Sequence, residues 1–158
     1  MTTFDHLYKL SSKGHHREVL DILISPSGRV RRPYSLDLNH AWYVAGDELY
    51  SLGDIKRAMM AFKKALAHSR GDVAAMMAIA NCYSDLGNPR MAAFYLLKGL
   101  SVDNKNSDLK YNLGNAYFDL GEYEKAIAEY SQVEGGRAAR LARKNAKRAV
   151  QKMKDRGV

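Results

Sequence analysis

The sequence predicts an all-α protein: a stack of antiparallel helix pairs closed by a C-terminal helix. Two observations predict it. Leu52-Gly53-Asp54, Leu86-Gly87-Asn88 and Leu120-Gly121-Glu122 recur with 34 residues between successive glycines, and a constant period of that length marks a stacked helical repeat. Aligned on those glycines, the three copies also share columns in which small residues alternate with large ones. Such columns form where two helices cross closely at the small positions and large side chains fill the space beside them.

The chain is read as one domain with these elements in order. Residues 1–38 form an N-terminal helix pair and a basic loop. Phe4, Leu7, Tyr8 and Leu10 make one helical stripe ending near Gly14, and Val19, Leu20, Leu23 and Ile24 make a second. Gly14 resembles the turn glycines, which makes the pair a candidate degenerate fourth repeat. Gly14 to Gly53 is 39 residues, five too many. The surplus is placed in residues 25–39, where Pro26, Gly28 and Pro33 predict loop and Arg29, Arg31 and Arg32 cluster.

The copies then run 39–72, 73–106 and 107–140. Seven to eight residues before the glycine stand Ala45-Gly46, Ile79-Ala80 and Leu113-Gly114, and four before it Leu49, Tyr83 and Tyr117. Five after it is always alanine: Ala58, Ala92 and Ala126. Nine after come Phe62, Leu96 and Tyr130, and twelve after come Ala65, Gly99 and Val133. The punctuating glycine closes the first helix of each pair, because it alone takes φ > 0 without a Cβ penalty. Asp54 and Asn88 are expected to cap the second helix, with Pro89 in its first turn. Gly99, inside a helix, costs roughly 1 kcal/mol against alanine and so marks a tight contact. Gly135-Gly136 is expected to end the last repeat helix. A basic capping helix, 137–155, follows, with Ala139, Ala142, Ala146, Ala149, Val150 and Met153 on its packed side.

On these residues the chain resembles tetratricopeptide repeat (TPR) proteins. The third copy carries the pattern best, in Tyr111 to Tyr117, Gly121-Glu122-Tyr123, Ala126-Ile127 and Tyr130. The first keeps the family tryptophan as Trp42, and the second has Met76 in that column. The proline that usually ends each repeat is replaced by Arg70, Asn104 and Ala138. The resemblance implies a right-handed superhelical solenoid whose first helices line a concave groove. It also implies a non-enzymatic scaffold or adaptor that holds a peptide or helix segment of another protein, with a chaperone-like role among the readings.

By family position the groove presents Tyr43, Asp47 and Tyr50 from the first copy. The second gives Met77, Asn81 and Asp85, and the third Tyr111, Asn112, Asn115 and Phe118. His40 falls in the same row. The aromatic and methionine side chains offer adaptable apolar area, and the asparagines can both donate to and accept from a peptide main chain. Some family members grip acidic chaperone tails through a clamp of lysine, arginine and asparagine. The matching columns here hold Tyr43 and Asp47, then Ala78, then Asp108 and Asn112. The cations are absent and two positions are acidic, so a neutral or basic ligand with apolar anchors is expected.

Charge gives a second reading. The net +8 is unevenly placed: residues 137–158 hold nine Lys/Arg against one acid, whereas residues 37–136 hold ten against thirteen. Arg140, Lys144, Lys147, Arg148 and Lys154 line one side of the last helix. With Arg29 to Arg32 they support an alternative, an adaptor gripping the phosphate backbone of nucleic acid. Homo-oligomerisation is a third reading. No phosphate loop, metal-ligand spacing or catalytic constellation is present in the sequence, so no enzyme activity, cofactor or metal is expected. His15-His16 reads as a solvated turn, and His6, His40 and His68 as isolated. The single cysteine, Cys82, reads as a small buried apolar residue. With no leader-like segment and no apolar run of about 20 residues, the expected location is cytoplasmic.

Overall fold

A computed structural model describes residues 3–157. Among them are nine α-helices and no strand beyond one isolated bridge, the all-α outcome the repeat predicts. The chain divides into two compact units, one ending at Cys82 and one beginning at Tyr83.

In the first unit, α1 (Asp5–Ser11) and α2 (His16–Leu23) form a pair turned at Gly14, whose φ is +81°. Leu7, Val19 and Leu23 are fully buried. The basic loop has structure of its own. Ile24 and Val30 bridge, Arg31 N–H donates to Leu23 O (2.9 Å), and a single 3-10 turn, Tyr34–Leu36, puts Tyr34 beneath Phe4. The loop ends sooner than expected. Asp37 accepts from His40 N–H (3.0 Å) and starts α3 at Leu38. Helices α3 (Leu38–Ser51) and α4 (Ile55–His68) are joined through Gly53 at φ +79°, and Asp54 caps α4 by accepting from Arg57 N–H. Their close crossing needs Gly46: a Cβ there would lie 2.5 Å from the Phe62 ring. Asn39 Nδ2 donates to Ala65 O (3.0 Å) and to Asp72 Oδ2 (2.8 Å), while Asp72 Oδ1 accepts from Ala75 N–H at the start of α5 (Val73–Asp85). Met76, Ile79 and Cys82 are fully buried on α5.

In the second unit, Asn88 caps α6 (Pro89–Val102) with Pro89 in its first turn. Gly99 makes the tight contact its position predicts, since a Cβ there would come within 3.0 Å of Leu109 on α7 (Ser107–Asp119). Gly114 repeats the Gly46 arrangement, with the Tyr130 ring 2.5 Å from where a Cβ would stand. Helix α8 (Tyr123–Ser131) stops four residues short of Gly135. The reason is side-chain hydrogen bonding. Ser131 Oγ and Gln132 Nε2 both donate to Ala128 O, competing for a helical acceptor, and Glu134 N–H is taken by Ser107 Oγ at 3.2 Å. Val133 therefore leaves the helix yet stays buried. Gly135 then starts α9 (Gly136–Asp155), whose Ala139 and Ala142 join Ala126, Tyr130 and Val133 in one cluster. Ala149 is buried as well, but Val150, expected on the packed side, is 41% exposed.

Candidate functional site

The first unit builds a small acidic pocket from residues the repeat pattern only partly marks. Tyr43 and Asp47 lie one turn apart on α3, so both face the same way. Asn39 and His40 precede them, Asp72 and Ala74 come from the start of α5, and Tyr8 reaches in from α1. Together they line a cavity of about 310 Å³. Tyr8, which its spacing assigns to an apolar stripe, is instead 46% exposed, and its hydroxyl hydrogen-bonds His40 Nε2. Phe4 meets His40 edge-on, with centroids 4.3 Å apart. His40 is thus not isolated but wedged between two N-terminal aromatic rings.

The electrostatics of the pocket are one-signed. Burial, then Asp47, Asp72 and Tyr8 in turn, push the Tyr43 phenol up to about 12, so it stays a neutral donor. Burial raises Tyr8 too, ahead of Asp47, Asp37 and Asp5. Asp47 is open to solvent on its outer edge, yet desolvation, followed by its neighbour Glu48, pushes it up to about 6. Among the described residues no lysine or arginine lines this pocket. It can accept a hydrogen-bond donor or a cation.

Glu48 points the other way. It is 3% exposed, and its Oε2 sits 2.7 Å from His16 Nδ1, tying α3 to α2. This corrects the solvated-turn reading for His16. His15 is exposed and bonds Glu18 at the start of α2. Neither Glu48 nor His16 lies in a repeat column that would have flagged it.

The other residues expected in a groove fall into two sets. Tyr50 is 37% exposed in the last turn of α3, Met77 is half-buried, and Asn81 is exposed. In the second unit Asn112 is half-buried, whereas Asp85, at the end of α5, is exposed. Tyr111, Asn115 and Phe118 are brought together, and α9 already engages them. Asn145 Nδ2 donates to Asn115 Oδ1 (3.0 Å) and to the Tyr111 hydroxyl (3.3 Å), and Tyr130 Oη donates to Asn115 Oδ1 (2.8 Å). The Arg148 guanidinium lies 5.4 Å over Phe118, whose ring also packs on Tyr123. Asn145, an amide in a strongly basic helix, is the residue sequence reasoning passes over. Of the expected basic patch, Arg140, Lys144, Lys147 and Lys154 are at the surface, as is Arg148 despite its seat on Phe118. Among the described residues no helix is long and apolar enough to cross a membrane, and no group of three His, Cys, Asp or Glu side chains is placed to hold a metal.

The comparisons agree with this architecture. The family model described as anaphase-promoting complex, cyclosome, subunit 3 matches residues 51–133. A curated relative, the general transcriptional corepressor trfA of Dictyostelium discoideum, is 26% identical over 107 residues, 67% of this chain. The match spans only 7% of that protein's length. Among solved structures, the first TPR of Spaghetti (RPAP3) bound to the HSP90 peptide SRMEEVD is similar with a TM-score of 0.69 at 15% identity. The match covers 73% of this chain and 93% of that one. The Sgt2 TPR domain from Aspergillus fumigatus gives 0.68 at 19% identity, covering 85% and 86%. At such identities these likenesses speak to the fold, an all-α helical repeat.

Proposed function

This chain belongs to the family of the anaphase-promoting complex subunit 3 model, a tetratricopeptide-repeat family, and from that membership we propose that it is a non-enzymatic adaptor binding a peptide segment of a partner protein. The observation that carries the reading is the pocket at Tyr43 and Asp47. It is concave, aromatic on two sides, acidic and, among the described residues, lined by no lysine or arginine. Such a site takes a lysine, an arginine or another strong donor next to an apolar side chain that packs on the phenol rings. The Spaghetti neighbour binds an acidic peptide. Here Asp47 and Asp72 would repel one, so a chaperone-associated role would use a different ligand charge.

The test is a library of random 12-residue peptides displayed and panned against the full chain, with Asp47→Asn and Tyr43→Ala as counter-targets. The expected outcome is enrichment of peptides pairing a basic with an apolar residue. Their affinity should fall by about tenfold on Asp47→Asn, with the melting temperature of each variant recorded alongside. Selected peptides that bind both variants as well as the parent chain would overturn the assignment.

A second reading rests on the exposed cations of α9. A nucleic-acid adaptor would lose affinity steeply between 50 and 200 mM salt, about 10³-fold or more for six phosphate contacts. A groove ligand held by apolar contact would lose little.

A further inference from the structure

A second cavity in the first unit lies away from the Tyr43 pocket, and none of the expected groove residues lines it, although Arg31 of the basic loop does. It measures about 710 Å³ and opens along one side between α2, α3 and α4. Its floor is apolar: Trp42, Ala45 and Leu49 from α3, Leu20 and Ile24 from α2 and its end, and Ala61 from α4. The loop after α2 closes one end through Pro26, Gly28 and Arg31. That loop is where the five surplus residues sit. The connection from α2 to α3 spans residues 24–37, whereas residues 69–72 and 103–106 suffice for the later connections. Most connections in compact units run about 4–6 residues, so this one is long. This one is ordered by the Ile24–Val30 bridge and the Ser25 N–H bond to Arg29 O.

The rim is cationic. Arg57 and Lys64 stand two turns apart on α4, roughly 10 Å along its axis, with Met60, 59% exposed, between them. Arg31 lines the cleft from the loop, and Asp21 on α2 is the acid among its described lining residues. Arg57 makes a long, exposed contact to Asp54 at 3.4 Å, the kind of pair that contributes little. Lys64 lays its ammonium 3.8 Å over the Trp42 ring, which holds a charge at the lip of an apolar floor.

We propose that this cleft is a second protein-docking site, and that its occupant is an acidic amphipathic segment. Its apolar side chains would pack on Trp42, Leu49 and Met60 while carboxylates on either side meet Arg57 and Lys64. The spacing decides between occupants of like chemistry. A fatty acid brings one carboxylate to two cationic residues set seven positions apart on α4, whereas a peptide can carry acids about seven residues apart on a helix or about three apart when extended. The site does not depend on the Tyr43 pocket, and the ligand charges are opposite.

The same displayed library separates them. The parent chain should also enrich peptides with aspartate or glutamate flanking leucine, isoleucine or phenylalanine. Those peptides should weaken about tenfold on the Arg57→Glu, Lys64→Glu chain and on Met60→Glu, and bind Asp47→Asn unchanged. All three substituted positions on α4 are at the surface, and melting curves confirm the fold. The proposal is overturned if no acidic–apolar peptide is enriched, or if such peptides ignore the α4 substitutions. It is also overturned if Met60→Glu instead abolishes a concentration-dependent dimer seen by sedimentation, which would give the cleft to a second copy. Laurate displacing the selected peptides and binding more tightly than they do would assign it to lipid.

Discussion

Asp47 and Glu48 are neighbours on α3 with opposite surroundings, and each makes a prediction. No described lysine or arginine lines the pocket of Asp47, and its acidity is weakened to about 6 by desolvation and then by Glu48. Its folded value lies above the unfolded one, so the native state holds the proton more tightly. The stability this confers is complete below the unfolded value near 4 and is lost as pH rises toward 6. Asp47→Asn should therefore raise the melting temperature at pH 7.5 and change it little at pH 4; an equal effect at both would contradict the assignment. Glu48 is buried and paired with His16. His16→Ala strands a buried carboxylate, and removal of one partner from such a pair costs about 2–3 kcal/mol. Urea denaturation reads this directly, and a loss below about 0.5 kcal/mol would mean that Glu48 finds other partners.

At the scale of elements, two kinds of glycine serve different ends. Gly53 turns the chain at φ +79°, and a Cβ added there would meet nothing within 4 Å, so Gly53→Ala costs backbone strain of about 1–2 kcal/mol. Gly114 lies inside α7, where alanine would gain about 1 kcal/mol in helix propensity, but its Cβ would meet the Tyr130 ring at 2.5 Å. The clash wins. Gly114→Ala should destabilise by about 1–3 kcal/mol net, and by less in a Tyr130→Leu background, as a double-mutant cycle would show. Helix α9 gives the same kind of test. Ala142 is fully buried against the Tyr130 cluster, so Ala142→Glu should unfold the second unit's end, lowering helical content by circular dichroism. Lys144→Glu on the exposed side should not.

Across the whole molecule, what the sequence makes legible is what repeats. The turn glycines, the Asp54 and Asn88 caps, the buried alanines and the close contact at Gly99 all sit in phase, so each copy predicts the others. What lies outside the period stays hidden. His16–Glu48 and Tyr8–His40 join residues 32 apart across the one connection that breaks the spacing. The early end of α8 is invisible in the sequence because it follows from side-chain bonds to Ala128 O and from Ser107, 27 residues away. Asn145 looks like one polar residue on a solvated face, and only the packing of α9 on α7 shows its two partners. Salt decides between the functional readings at this scale. Contact made through the Tyr43 pocket should survive about 300 mM salt, and phosphate binding by α9 should not.

Trp42 is the chain's single tryptophan, and it belongs to the first unit, beneath the Lys64 ammonium. Its ultraviolet emission is therefore a private thermometer. It reports the surroundings of α3 and α4, whereas the aromatic residues of α6 through α9 are tyrosines and phenylalanines alone. An emission curve laid over a helical-content curve from the same sample would show whether the first unit melts with the chain as a whole, with no dye and no substitution.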